Sequence, residues 1–124
     1  MNQVILRGNL TRDPELRTIE SGNRSISVIN FTVAVSREYT KSSGVKDKIV
    51  SYIPCEAWDS GAELIADSFR KGDLVFVEGS MRNDKWEKDG VKRSKPVFNA
   101  YQVQLLSAND GGSKMIDRHE GVPF

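Results

Sequence analysis

Aromatic rings set among cations are the residues of this sequence that could do chemistry. Tyr39 precedes Lys41, Lys46 and Lys48, Tyr52 is followed six residues on by Trp58, and Trp86 lies between Arg82, Lys85, Lys88, Lys92, Arg93 and Lys95. A ring offers any base a π-face worth about 1–3 kcal/mol, and nearby ammonium or guanidinium groups contact the phosphates between bases. This is the composition of a surface for a single strand of nucleic acid. Each ring also has another use. A tryptophan in a small barrel often belongs to a core or an interface, and Tyr52 and Trp58 would serve equally well as the cap of a subunit contact. The lysine-rich run also holds Asp84, Glu87 and Asp89, so it also reads as a solvated hairpin. Trp86 sits amid charge with no apolar neighbours to bury it locally, which favours binding for that ring.

Catalysis finds no such inventory. His119 is the one histidine and falls near the C-terminus, Cys55 is the one cysteine, and neither a Ser-His-Asp nor a Cys-His site can be assembled around the other elements. No glycine-rich phosphate loop of recognised spacing occurs. The expectation is a protein that is not an enzyme, with no cofactor and no metal. A lone cysteine allows neither an internal disulfide nor a cysteine cluster, so Cys55 reads as a small buried hydrophobe in a reducing, cytoplasmic compartment. MNQVILRGNL lacks the pattern of a signal peptide and reads as a strand. No apolar run approaches the roughly 20 residues that cross a bilayer. Net charge is +1. The last 18 residues hold two cations and three anions, which leaves 16 basic against 14 acidic residues elsewhere, too small an excess to argue for a polyanionic partner.

Positioning those rings requires strands. At 124 residues one domain and a tail is the natural division. Residues 48–58, KIVSYIPCEAW, alternate: Ile49, Ser51, Ile53, Cys55 and Ala57 form a small, mostly apolar face, and Val50, Tyr52, Pro54, Glu56 and Trp58 the other. Residues 4–10 form a first strand, with Gly8 marking a bulge or a close backbone approach and Asp13-Pro14 a break. A second strand covers residues 25–37. In it Ile26 and Val28 fall out of phase with Ile29, Phe31, Val33 and Val35, which a bulge near Val28 would reconcile. EYTKSSGVKDK reads as a long hairpin loop. Ala62, Ile65, Ala66 and Phe69 have helical spacing, with Ser60 as N-cap and Gly72 beyond a basic last turn. LVFVEGSMR gives a fourth strand, NDKWEKDGVKRSK a polar loop with a turn at Asp89-Gly90, and VFNAYQVQLLS a fifth. Five strands with one helix between the third and fourth define an all-β OB-fold, a Greek-key barrel. The barrel spans residues 1–106, and residues 107–124 read as a short disordered tail. Pro54 threatens a local irregularity in the third strand, because it cannot donate to a ladder.

NQVILRGNLTRDPELR, FRKGDLVFVEGSMR and KWEKDG, in this order around those elements, closely resemble the bacterial-type single-stranded DNA-binding proteins, and the resemblance covers residues 2–106. It implies a homotetramer that coats and protects single-stranded DNA in replication, recombination and repair, at the nucleoid and without sequence preference. Tyr39, Tyr52 and Trp86 fall where the family commonly has tryptophans, and Trp58 where it has another aromatic. Arg17, Lys71 and Lys85 match basic positions of the family, while Arg37, Lys41, Lys46, Arg82, Lys88 and Lys92 are drawn from loop charge alone. Pro54 and Ser60 stand where basic residues are common, and Asp84 adds negative charge near Trp86, so weaker and more salt-sensitive binding is expected. Val122, Pro123 and Phe124 resemble the family's C-terminal tip, which docks on replication and repair proteins. Here Asp117 and Glu120 are opposed by Arg118 and His119. So short a chain also resembles phage-encoded or accessory members. An OB-fold replication-accessory module that binds RNA or protein partners is the alternative.

Overall fold

The long alternating runs pair with one another before anything else is decided. A computed structural model describes residues 1–108 and 121–123. It contains β1 (Val4–Leu10), β2 (Glu15–Ser21), β3 (Arg24–Thr40), β4 (Lys46–Trp58), α1 (Asp59–Ser68), β5 (Leu74–Lys88), β6 (Val91–Ser107) and β7 (Gly121–Pro123). The sheet runs β1-β5-β6-β4-β3-β2, and β1 closes it on β3 through Asn9 opposite Ala34 and Leu10 opposite Val33. The five strands β1, β3, β4, β5 and β6 form the barrel, with α1 between the third and fourth of them. This is the expected OB-fold.

The inward residues make one core. Ile29, Phe31 and Val33 of β3 meet Cys55 and Ala57 of β4, Val75 and Val77 of β5, and Phe98, Ala100, Val103 and Leu105 of β6, and α1 adds Ala62 and Ile65. Cys55 is buried as expected. Desolvation pushes its thiol up to about 12, which removes it as a nucleophile at neutral pH.

Several local expectations are corrected. The segment after Pro14 is a strand in its own right, β2, paired along its whole length with β3, because its polar residues occupy an exposed sheet edge where alternation is not enforced by burial. The two polar hairpins are strands for most of their length. β3 and β4 remain paired out to Thr40 opposite Lys46, and β5 and β6 out to Lys88 opposite Val91. The loops shrink to residues 41–45 and to Asp89-Gly90, whose φ angles of 53° and 77° suit a tight two-residue hairpin turn. Both arms run past the core with water on each face, so nothing in them needs to be apolar.

No bulge occurs at Val28. The β2–β3 ladder runs through it in register, the β3–β4 ladder starts at Val28 opposite Trp58 and continues without a shift, and Val28 and Ile29 are both fully buried. The two phases coexist because the strand is covered on both sides there. The helix begins one residue before Ser60, with Trp58 as N-cap and no side-chain cap, and no basic residue lies in its last turn. Arg70 and Lys71 follow it in a turn in which Arg70 N–H donates to Asp73 Oδ2 at 2.8 Å and Lys71 N–H to Asp13 Oδ1 at 2.7 Å. Pro54 leaves β4 regular. It stands opposite Thr32, whose carbonyl accepts from Thr11 N–H at 3.1 Å on the far side. The pair is therefore of the non-hydrogen-bonded kind, and no donor is missed.

Two glycines let the strands cross closely. A Cβ on Gly8 would overlap the carbonyl of Ala34 where β1 meets β3, and one on Gly79 would overlap the carbonyl of Asn99 and lie 2.8 Å from Phe98 Cε1. Gly79 also falls at a register shift between β5 and β6. Gly79→Ala is expected to cost about 1–3 kcal/mol of stability through overpacking, read as a lower urea midpoint at unchanged slope.

Candidate nucleic-acid interface

Alternation along β3 and β4 sorts side chains into an inner and an outer set. Ile29 and Ala57, Phe31 and Cys55, and Val33 and Ile53 face each other across the ladder toward the core. Val28 with Trp58, Asn30 with Glu56, Thr32 with Pro54, and Ala34 with Tyr52 occupy the outer face. Arg17 of β2 opposes Val28 and so joins that face. On the β5–β6 arm, Met81 shares a face with buried Phe98, which leaves Arg82, Asp84 with Lys95, and Trp86 with Arg93 on the opposite one. A 2.5 Å ion pair from Arg82 Nη2 to Glu56 Oε1 brings the two outer faces side by side.

The rings are placed differently from one another. Trp86, 43% exposed, stands in an open cleft of about 470 Å³ with Lys85, Lys92 and Arg93. Tyr52 is 66% exposed on the outer face of the β3–β4 arm. Tyr39 opposes Asp47 in that arm, in the phase of the inner residues, so the structure puts the two tyrosines on opposite faces. The Tyr39 hydroxyl donates to Asp47 Oδ2 at 3.4 Å, and Lys41 Nζ pairs with the same oxygen at 3.3 Å. Lys48 N–H, Lys41 and Tyr39 together hold the Asp47 carboxyl below its ordinary range. Trp58 is half-buried, and its Nε1–H donates to Glu56 Oε1 at 3.0 Å.

The cations divide in the same way. Lys85, Lys88 and Lys92 are exposed on the β5–β6 arm, Lys41 and Lys46 flank the turn of the β3–β4 arm, and Arg37 lies on the Tyr39 face of that arm. Arg17 donates from Nε to Asn30 Oδ1 at 3.1 Å. Lys71 stands beside the β1–β2 turn, away from the arms. Arg82 is held from two sides, by Glu56 and by Asp84, whose Oδ1 and Oδ2 accept from Nε at 2.6 Å and Nη2 at 3.2 Å. Those bonds raise the Arg82 guanidinium further and, with Lys95 nearby, lower the Asp84 carboxyl. Ser60 is exposed at the start of α1.

Sequence reasoning gave no role to Glu56 or Asn30 and placed Lys95 only among the cations around Trp86. All three line a groove of about 300 Å³ with Arg17, Pro54 and Asp84. Glu56 was signalled only by its position between Pro54 and Trp58 on the wetted face. Charge placement was also hidden by the total. Residues 36–52 and 82–95 carry ten cations and five anions, and the remainder of the chain eight and twelve, so the two arms hold +5 against −4 elsewhere. Among the described residues no group of three or more His, Cys, Asp or Glu side chains is poised to hold a metal.

An OB barrel that carries exposed rings beside cations on extended hairpins presents the class of surface that single-strand nucleic-acid binders use. Comparison with known proteins narrows this class. Residues 1–106 match the single-strand binding protein family. The chain is 35% identical over 123 residues to the single-stranded DNA-binding protein of Aquifex aeolicus, covering 99% of this chain and 82% of that one. It is 37% identical over 110 residues to single-stranded DNA-binding protein 1 of Synechocystis, covering 87% and 85%. Among solved structures, the wild-type single-stranded DNA binding protein of Thermus aquaticus superposes with a TM-score of 0.74 at 32% identity over 90% of this chain. The chain spans about half of that protein's length, 52%. The chain belongs to the single-strand binding protein family.

Trp86→Ala is expected to weaken binding of oligo-dT by about 1–3 kcal/mol with an unchanged melting temperature. Tyr52→Ala is expected to cost more than Tyr39→Ala, because only Tyr52 lies on the outer face. Fluorescence anisotropy of labelled oligonucleotide measures both.

Proposed function

We propose that this protein binds single-stranded DNA without sequence preference, coats it and protects it during replication, recombination and repair. The observation that carries the reading is the outer face itself: Trp86, Trp58 and Tyr52 lie on one side of the sheet with Arg93, Lys95 and Arg17, and Lys85 and Lys92, in the opposite phase of the β5–β6 arm, line the cleft at Trp86. Rings take bases by stacking, which is indifferent to sequence, and the cations take phosphates. The names of the relatives point to the same ligand. The role is one of binding rather than catalysis, carried out in the cytoplasm wherever DNA is unpaired. Among the described residues no helix is long and apolar enough to cross a membrane.

Family membership also supports assembly as a homotetramer and recruitment of replication and repair proteins through Val122, Pro123 and Phe124, with residues 1–106 as the DNA-binding domain and residues 107–124 as its tail. Val122 and Pro123 lie in β7, antiparallel to Val103 and Gln102 of β6, whereas Phe124 and the tail residues 109–120 fall outside the described residues. A partner that takes the tip as an extended peptide therefore competes with β6 for its backbone.

Tryptophan emission is expected to be quenched by oligo-dT and left unchanged by random duplex. The logarithm of affinity should fall with the logarithm of salt by about 0.7 per phosphate neutralised, and a flat salt response would contradict phosphate contact. Removal of residues 121–124 is expected to leave oligo-dT affinity intact and to abolish capture of replication and repair proteins in a pull-down against full-length chain.

A further inference from the structure

Arg82 sits in the middle of the outer face, yet it is the cation there with the least freedom to meet a phosphate. Its Nη2 lies 2.5 Å from Glu56 Oε1, and its Nε and Nη2 lie 2.6 and 3.2 Å from the two oxygens of Asp84. Nε–H and both N–H groups of Nη2 are thus directed at two carboxylates, which leaves only the Nη1 edge of the guanidinium for another acceptor. The three groups together carry a charge of −1, so the site repels a polyanion where the surrounding Arg17 and Lys95 attract one. Glu56 has a second task, because the same Oε1 accepts from Trp58 Nε1–H. With its side chain 12% exposed, this carboxylate is also the better shielded of the two. One shielded oxygen thus sets both the lie of the Trp58 indole and the lie of the Arg82 guanidinium.

We infer that Glu56, Arg82 and Asp84 form a charge lock on the DNA-binding face. Asp84 withholds Arg82 from phosphate, and Glu56 is a positioning residue that fixes the Trp58 ring through its indole N–H. In the locked state a strand crossing this face is held by the rings and by Arg17, Lys95 and the arm lysines, while Arg82 contributes no phosphate contact. The inference rests on the reading of the outer face as the DNA surface. It adds that DNA affinity is limited by two carboxylates and not by a shortage of cations.

Asp84 is a partly exposed residue of the hairpin arm whose bonds go to Arg82 alone, so Asp84→Asn is expected to fold normally. Oligo-dT titrations of the full chain at several salt concentrations should then show a several-fold gain in affinity and a log–log salt slope steeper by about 0.7, the signature of one added phosphate contact on a single strand. In the double variant Asp84→Asn with Arg82→Ala, both gains should vanish. An Asp84→Asn protein with wild-type affinity and slope overturns the lock. So does a gain that survives Arg82→Ala, since the carboxylates would then act by plain repulsion. The positioning role is read in a Trp86→Phe background, where Trp58 is the one tryptophan. Glu56→Gln, which keeps an acceptor for the indole, should retain the Trp58 emission maximum and its quenching by oligo-dT, and Glu56→Ala should shift the first and reduce the second. Equal spectra for Gln and Ala overturn the positioning role. Failure of the wild-type protein to bind oligo-dT at all would instead remove the reading on which the inference rests.

Discussion

The close approach of β1 to β3 at Gly8 governs the shape of everything else. Where β1 passes the carbonyl of Ala34 there is no space for a side chain, and it is there, at Asn9 and Leu10, that the sheet closes on itself. Gly79 performs the same service where β5 passes β6. A five-stranded barrel closed this tightly has a small interior, filled by a few side chains from each strand and by Ala62 and Ile65 of α1. β3, β4, β5 and β6 are 13 to 17 residues long, more than so small a core can cover. The excess length has nowhere to go but outward, as two paired arms. The arms are thus a geometric result of closure, and they hold Tyr39, Tyr52 and Trp86 exposed to water.

The same strands do both jobs because period-two alternation separates them. On β4, Cys55 and Ala57 seal the core while Pro54, Glu56 and Trp58 look out. One consequence is that a change of face cannot be made without a change of register, so the outer constellation is as firmly fixed as the core beneath it. Thr32 and Pro54 illustrate the economy of this arrangement. The proline falls on a non-hydrogen-bonded pair, where its missing N–H is not needed and its ring adds apolar surface to the groove floor.

Residues that answer to burial were legible in the sequence, and residues that answer to solvent were not. Ile29, Phe31, Val33 and the Ala62–Ile65 stripe each announce their partners by periodicity. β2 and the outer thirds of β3, β4, β5 and β6 are wet on both sides, so Thr40, Lys46, Lys88 and Lys92 follow no hydrophobic pattern and read as loop. Val28 misled for the opposite reason, since burial on both faces erases the alternation that a bulge would otherwise have had to explain. Tyr39 and Tyr52 could be recognised as ring positions, but their opposite faces depend on the pairing register of β3 with β4, which neither run contains by itself. The Glu56–Arg82–Asp84 cluster joins β4 to β5 across 26 residues of chain, and no local spacing records such a contact.

Charge distribution explains how a chain of net charge +1 can serve a polyanion. At physiological ionic strength the field of an exposed charge dies away over roughly 8 Å, so a strand of DNA lying on the arms feels the local +5 and little of the −4 carried by the rest. The anions outside the arms, such as Glu20, Glu63 and Asp67, keep the total low. Within the arms the acids are not spread evenly. Asp47 is tied to Lys41 and Tyr39, and Asp84 to Arg82, so each is coupled to a cation on its own hairpin. Lys85, Lys92 and Arg93 around Trp86 have no such ion pair among the described residues. The strength of the surface thus depends less on how many cations the chain holds than on which of them its own carboxylates have already claimed.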